Sequence, residues 1–287
     1  MLQDIAYGKL ENEFYDKSPL PEDIAVCFQG ANVIIKRGDD GSLKLPTIEN
    51  ARKWANTGWI PWSQPAFRYI FRMENRDYYL FMGQAGDTGD SSFQQESVRT
   101  LRQLTSKEVC FAVMTAWHLF TWYRCNRFCG CCGSETVHDT AERMLRCPSC
   151  GNMIFPRISP AVIIAVTDGD RLLLSKYAGR SYTRYALLAG YTEIGETLEQ
   201  TVQREVMEEV GLRVKNIRYY KSQPWGIDGN VLMGFYCDLD GDDTVHLDTA
   251  ELSLAQFYPR EALPAHDDGI SLTREMIRIF EEGREPR

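Results

Sequence analysis

The sequence predicts an α/β protein in three parts, and three observations carry that prediction. Apolar runs of strand length flank one short amphipathic helix within residues 190–212. Two Cys-x-x-Cys pairs, Cys129 with Cys132 and Cys147 with Cys150, precede that region. Ahead of the cysteines, short apolar stretches are broken by Gly, Asp, Asn and Pro, the punctuation of a small sheet. A length of 287 residues is about two domains' worth, and 44% apolar residues are ample for a packed core. The net charge of −8 provides no broad basic footprint, which argues against generic binding to DNA, RNA or an anionic membrane. The first residues lack a basic region followed by an apolar run, and no stretch approaches the roughly eighteen apolar residues of a spanning helix, so a cytoplasmic protein is expected.

Taken in order, residues 24–28, 32–36, 69–73 and 78–82 read as strands. The first 95 residues hold no histidine and only scattered acids, so no catalytic constellation is expected there. Residues 84–92 are turn-rich and expected at the surface. Over residues 95–124, Val98, Leu101, Leu104, Val109, Ala112, Val113, Ala116, Trp117 and Phe120 recur at helical spacing and predict one or two linking helices whose aromatic rings pack as core.

The cysteines come next. Each Cys-x-x-Cys pair is followed by a glycine, Gly133 and Gly151, and fourteen residues separate the pairs, the spacing of a zinc ribbon. Four thiolates would fill all four positions around a zinc ion, making it structural, one per chain, with no open position for chemistry. Cys125 and Cys131 are competitors for the same register, and His138, between the knuckles, is expected as a surface residue. An odd total of nine cysteines, four of them in such pairs, favours metal over a disulfide framework.

Residues 160–166 then predict a strand, Asp168, Gly169 and Asp170 a tight turn, and residues 171–176 the returning strand. Further strands are expected at 185–191, 213–220 and 231–239, and a second helix near 271–281. The helix after residue 191 has clear ends: Thr197 with Gln200 three residues on is a capping-box start, and Gly211 sits where a helix takes a left-handed stop. At about 100° per residue, Glu205 and Glu209 lie roughly 40° apart, with Glu208 roughly 60° to the other side of Glu205. Leu198, Val202, Val206 and Val210 form an apolar stripe beside that flank, so the three acids border a groove, a setting for a hard cation. A Glu-rich helix is more often only a solvated surface helix, and the wider pattern decides between the two.

Gly190, Glu196, Arg204, Glu205, Val206, Glu208, Glu209, Gly211 and Leu212 match every fixed position of the Nudix box, Gly-x5-Glu-x7-Arg-Glu-aliphatic-x-Glu-Glu-x-Gly-aliphatic. Seven fixed identities at roughly one in 20 each give a chance match on the order of 10⁻⁹ per starting point. The chain therefore resembles the Nudix hydrolases. The ribbon ahead of the box, an N-terminal module and Ser222-Gln223-Pro224-Trp225 resemble the bacterial NADH pyrophosphatases, over roughly residues 95–287 and in outline before them.

The resemblance implies a Nudix α/β/α sandwich at residues 157–287, preceded by a zinc ribbon at 123–156 and an N-terminal α+β module with its helical linker at 1–122. It implies metal-dependent hydrolysis of the pyrophosphate bond of NADH or NAD⁺ to nicotinamide mononucleotide and AMP, removal of NAD caps from the 5′ end of RNA, and a homodimer. Glu205, Glu208 and Glu209 become the expected catalytic residues. Glu205, Glu209, Glu251 and the backbone carbonyl of Ala189 become the expected Mg²⁺ or Mn²⁺ ligands. Cys129, Cys132, Cys147 and Cys150 become the zinc ligands. Gly190, Glu196, Arg204 and Gly211 become structural, with Glu196 and Arg204 paired. Substrate contacts are expected from Gln223, Pro224, Trp225, Asn230 and Thr273. A dinucleotide also offers two flat rings, each worth about 1 to 3 kcal/mol when stacked on an aromatic side chain. Phe155, Tyr191 and Trp225 are the candidates, with burial in the core as the competing expectation. The family motif continues Pro-Phe-Pro-x-Ser where this chain reads Gly226, Ile227, Asp228, Gly229, Asn230. A broader nucleotide-sugar or dinucleoside-polyphosphate hydrolase is the alternative. A ligand-sensing regulator built on an inactive domain is a third reading, which the intact box opposes.

Overall fold

The computed structural model describes residues 1–5, 10–38, 42–54, 58–101, 106–179, 183–264 and 269–286. Two compact units emerge. The first holds residues 3–157 with 226–229, the second residues 1–2, 158–225 and 230–287.

The first unit contains β1 (Ile24–Val26), β2 (Phe28–Gln29), β3 (Asn32–Arg37), β4 (Leu43–Lys44), α1 (Ile48–Lys53), β5 (Ile60–Pro61), β6 (Phe67–Met73), β7 (Arg76–Phe81), β8 (Gly83–Gln84), β9 (Phe93–Ser97) and α2 (Lys107–Cys125). Strand β7 lies between β1, in parallel, and β6, antiparallel. The β6–β7 hairpin closes on Glu74 and Asn75, with φ of 52° and 59°, the two-residue turn whose twist matches its strands. Strand β3 carries β2, β4 and β9, all antiparallel. Ala25, Ile34, Ile48, Trp54, Trp59, Tyr79 and Phe81 share one core.

Two sequence expectations are corrected here. Residues 93–97 are strand, paired with β3, and the helix begins only at Lys107, behind the Ser106 cap. Val98 and Leu101 are buried all the same, so their spacing reports core contact from a turn and not a helical face; Leu104 lies outside the described residues. The helix α1 has no counterpart in the apolar pattern, being too short to show a period. It is set by a local capping box, in which the Thr47 N–H donates to Asn50 Oδ1 at 3.0 Å and the Asn50 N–H to Thr47 Oγ1 at 3.2 Å. Helix α2 is buried around most of its circumference, Phe111, Phe120, Trp122 and Tyr123 included, as its aromatic content predicts.

Three short antiparallel strands follow, β10 (Val137–His138), β11 (Leu145–Arg146) and β12 (Met153–Ile154). Arg143 fastens this segment to the earlier strands, donating through Nη2 to the Ile70 carbonyl at 2.5 Å and through Nη1 to Asn12 Oδ1 at 3.1 Å. Residues 226–229 complete the unit. A Cβ on Gly226 would stand 2.1 Å from the Met114 carbonyl oxygen, so only glycine fits there. The Trp117 indole N–H donates to the Ile227 carbonyl at 3.3 Å.

The second unit contains β13 (Ser159–Asp168), β14 (Arg171–Tyr177), β15 (Leu188–Tyr191), α3 (Leu198–Val210), β16 (Val214–Trp225), β17 (Asn230–Leu239), β18 (Leu252–Pro259) and α4 (Leu272–Glu281). Its six-stranded mixed sheet runs β16-β17-β13-β14-β18, with β15 also paired to β13. Alternation along β13 decides the layers. Val162, Ile164 and Val166 pack with Val202, Val206 and Val210 of α3, while Ile163 and Ala165 pack with Met276 and Phe280 of α4. The result is the expected α/β/α sandwich. Gln223, fully buried in β16, binds the start of α4 from both sides. Its amide donates to the Ile270 carbonyl at 2.9 Å, and its oxygen accepts the Leu272 N–H at 2.7 Å. Among the described residues, no helix is long and apolar enough to cross a membrane.

Candidate functional site

Strand β15 delivers Ala189, Gly190 and Tyr191 to the mouth of the acidic helix. Ala189 pairs with Ile163 and Gly190 with Val162 of β13, which fixes their depth. A Cβ at Gly190 would fall about 2 Å from the Glu205 carboxylate, at 1.9 Å from Cδ and 2.0 Å from Oε1. The glycine is there so that this carboxyl group can lie against the strand backbone. Helix α3 starts and stops as its local signals dictate: Thr197 and Gln200 form the capping box, and Gly211 takes φ of 70°. Two of its last carbonyls are satisfied by the loop between β17 and β18, from the His246 N–H to Val210 and the Asp248 N–H to Glu209, each at 2.9 Å.

Arg204 organises the loop and the acids together. Its Nε donates to Glu196 Oε1 at 2.6 Å and its Nη2 to Glu196 Oε2 at 3.0 Å, a bidentate pair, while Nη2 also reaches the Tyr191 carbonyl at 2.9 Å. Through Nη1 it binds Glu205 Oε1 at 2.7 Å and Glu208 Oε2 at 2.9 Å. Thr201 and the Glu193 N–H add further donors to Glu196. The Arg204 hydrogen bonds hold the Glu196 carboxyl down to about 2, and these carboxylates raise the guanidinium in turn. Glu205 moves the other way. Its burial raises it, the charges of Glu208 and Glu251 add to that rise, and Arg204 opposes it.

A pH prediction follows for Glu196, whose folded value is depressed. The pair's contribution is complete above the unfolded carboxyl value of about 4.3 and is lost as pH falls towards 2. Glu196→Gln should therefore melt earlier than the parent at pH 7 and pH 5, with the two melting temperatures converging towards pH 2. An equal gap at pH 7 and pH 2 would contradict the pairing.

Glu209 is 4% exposed and faces inward, Glu208 faces solvent, and Glu251 stands on the exposed loop before β18. The acids are not drawn into one coordination sphere: among the described residues, only the four cysteines place three or more candidate donors within 4.8 Å of one another. Arg204 Nη1, bound to both Glu205 and Glu208, bridges those two carboxylates. The candidate side-chain donors are all carboxylates, the chemistry that suits a hard divalent cation.

In the ribbon, the Cys129 and Cys150 sulfurs lie 3.6 Å apart and those of Cys132 and Cys147 3.4 Å apart. A tetrahedron with Zn–S arms of about 2.3 Å has edges of about 3.8 Å, so the four thiols fit zinc. Gly133 and Gly151, with φ of 76° and 74°, turn each knuckle, and their N–H groups bind the Cys129 and Cys147 carbonyls at 2.8 and 3.0 Å. The N–H groups of Cys131 and Cys132 lower the Cys129 thiol to about 6, favouring the thiolate a metal needs. Cys125 and Cys131 are exposed and outside the cluster. His138 is not the expected surface residue. Its ring stacks between Phe14 and Tyr123, with Nε2 2.7 Å from the Tyr123 hydroxyl and Nδ1 2.6 Å from the Asp139 carbonyl.

Among the expected substrate residues, Phe155 in the first unit and Tyr191 in the second are each 52% exposed, so neither belongs to a core. The Tyr191 hydroxyl donates to Asn230 Oδ1 at 3.2 Å, giving the buried Asn230 an orienting contact that its position after Gly229 did not announce. Pro224 is exposed, Trp225 half-buried, and Thr273 half-buried in the first turn of α4. Gln223 has no exposed surface, and both ends of its amide are engaged with Ile270 and Leu272, so its side chain fastens α4. The altered motif at 226–230 is also no open loop. Trp225 pairs with Asn230, and residues 226–229 are the turn of the β16–β17 hairpin.

Comparison with known proteins adds five likenesses. Residues 157–279 match the NUDIX domain, and residues 124–155 match the NADH pyrophosphatase zinc ribbon domain. An NAD-capped RNA hydrolase NudC of Pectobacterium atrosepticum is 37% identical over 180 residues, 62% of this chain and 69% of that protein. One from Shigella dysenteriae is 40% identical over 146 residues, 51% of this chain and 56% of that protein. A crystal structure of a NUDIX hydrolase from Nitrosomonas europaea aligns with a TM-score of 0.47 at 25% identity, covering 54% of this chain and 91% of the other.

Proposed function

From the premise that this chain belongs to the Nudix hydrolases carrying the NADH pyrophosphatase zinc ribbon, we propose that it cleaves the pyrophosphate bond of NADH and NAD⁺. The products are nicotinamide mononucleotide and AMP, and the same cleavage removes the NAD cap from RNA, leaving a 5′-monophosphate end. The observation that carries the reading is the join of β15 to α3, where Arg204 ties the loop, the strand end and two glutamates into one acidic flank.

In this reading Glu205, Glu209, Glu251 and the Ala189 carbonyl hold Mg²⁺ or Mn²⁺. A divalent ion held there would supply charge neutralisation of the pyrophosphate and a water made nucleophilic near neutral pH. Glu208, the solvent-facing acid of the flank, accepts the proton of the attacking water. Arg204 holds Glu196 and the loop in place. Gly190 keeps the Glu205 carboxylate against the strand. The ribbon's zinc is structural. We further place the enzyme in the cytoplasm, which nine cysteines with no disulfide among them support, and expect a homodimer. The three domains run 1–122, 123–156 and 157–287.

A product assay on NADH with added Mn²⁺ tests the function: nicotinamide mononucleotide and AMP should appear in equal amounts. Turnover of nucleotide sugars or dinucleoside polyphosphates without turnover of NADH or NAD⁺ would favour the broader hydrolase, for which the short turn at 226–229 is the supporting observation.

Base recognition yields a second test. Tyr191 and Phe155 are half-exposed rings, so Tyr191→Ala and Phe155→Ala should each raise the Michaelis constant for NADH several-fold, as expected from about 1 to 3 kcal/mol per stacked ring, with little change in melting temperature. Variants that bind NADH normally would assign the bases to other residues.

A further inference from the structure

The chain leaves the first unit for the second after Arg157, and it crosses again on each side of residues 226–229. Two of these routes enter one sheet as neighbours, because Ser159 at the start of β13 pairs with Asn230 at the start of β17. One stretch of α2 meets the approach to both strands. Met114 and Trp117 contact the turn at Gly226 and Ile227. His118 Nε2 lies 2.7 Å from the Arg157 carbonyl oxygen, which can only accept, so that nitrogen carries a proton. A Cβ on Gly229 would stand 3.3 Å from the same nitrogen, so the imidazole also rests against the residue that precedes Asn230.

The base under these contacts is fixed. Met114 is buried, and the Trp117 ring packs on Phe28 and Phe120 with centroids 5.2 and 5.6 Å away. The same seating explains why residues 226–230 depart from the family motif. A proline at 226 would carry a Cβ to about 2 Å from the Met114 carbonyl oxygen, so a turn resting on α2 in this way requires the glycine. On the other side of the turn, Asn230 is buried and accepts from the Tyr191 hydroxyl at 3.2 Å, while the Tyr191 carbonyl accepts from Arg204 Nη2 at 2.9 Å. The Tyr191 ring is half-exposed, so its bond to Asn230, and not core packing, sets its direction.

We propose that His118 is a positioning residue for substrate binding: by holding the approaches to β13 and β17 it sets where Asn230 stands, and through the Asn230–Tyr191 bond it aims the ring on which a base of the dinucleotide stacks. His118 touches no substrate itself. The substrate half of this inference rests on the pyrophosphatase reading, whereas the hold of His118 on the turn stands on contacts within the first unit.

The test compares His118→Leu, which removes the donor, with His118→Gln, whose amide can still donate to the Arg157 carbonyl. Amide hydrogen exchange on the full chain, which needs no turnover, reads the hold on the turn. In His118→Leu, exchange across residues 226–233 should quicken at least about 3-fold while α3 keeps its protection, and His118→Gln should match the parent. Steady-state kinetics on NADH with Mn²⁺ reads the consequence. His118→Leu should raise the Michaelis constant about 3- to 5-fold with kcat within about 2-fold, and His118→Gln should restore it. In a Tyr191→Ala background the same His118→Leu change should move the Michaelis constant by less than about 2-fold, because the ring it aims is gone. Unchanged exchange at 226–233 would overturn the hold on the turn. A Michaelis constant equal to the parent's, a loss confined to kcat, or effects that multiply in the double variant would overturn the route through Tyr191. A parent that does not turn over NADH would sink the hydrolase reading and the substrate half of the proposal with it, while the exchange data would still decide whether His118 holds the turn.

Discussion

Glu209→Gln should lower turnover of NADH by at least about two orders of magnitude while the protein stays folded. The side chain is 4% exposed, and the substitution keeps its shape while removing one negative oxygen, so any loss is of charge and not of packing. The surroundings favour this separation. Glu205 and Glu208 are both held by the Arg204 guanidinium, contacts that the substitution leaves in place. Melting temperature should stay close to the parent's as activity falls. The decisive measurement is turnover at saturating Mn²⁺ alongside a melting curve, and near-parental turnover would remove Glu209 from the metal site.

Cys147→Ser should strip the chain of zinc and lower its thermal stability in the same step. Cys147 has no exposed surface, and its sulfur lies 3.4 Å from that of Cys132, so a serine oxygen there replaces one of four thiolates in a closed site. Binding energy at such sites is folding energy, of order 10 kcal/mol in isolated zinc-binding peptides, so the effect should far exceed that of an ordinary buried substitution. Cys131→Ser is the matched control, since Cys131 is exposed and outside the cluster. Zinc content by metal analysis should fall only in Cys147→Ser. A parent without zinc, or a Cys147→Ser protein with unchanged melting, would refute the ribbon.

The readings that held in the structure share a physical property, and so do those that did not. Thr197 and Gln200, Gly211, and each cysteine knuckle with its glycine are signals whose partners lie within a few residues. Short-range geometry fixes them before any tertiary contact forms. The helix expected from residue 95 failed because Val98 and Leu101 owe their burial to a turn beside β9, which only pairing with the distant β3 creates. The role of Gln223 in fastening α4 has no local signal for a similar reason, since its partners Ile270 and Leu272 are far along the chain.

The sequence by itself therefore determined the acidic helix, the order of its acids and the ribbon's four thiols, because caps, helical period and knuckle spacing are local. Tertiary structure decided which acid faces inward and which faces water, since that depends on how α3 packs against β13 and β15. It also decided that Gly190 is empty so that Glu205 has room, that Arg204 reaches back to the Tyr191 carbonyl, and that Gln223 holds α4. Each of these joins residues that only packing and strand register bring together.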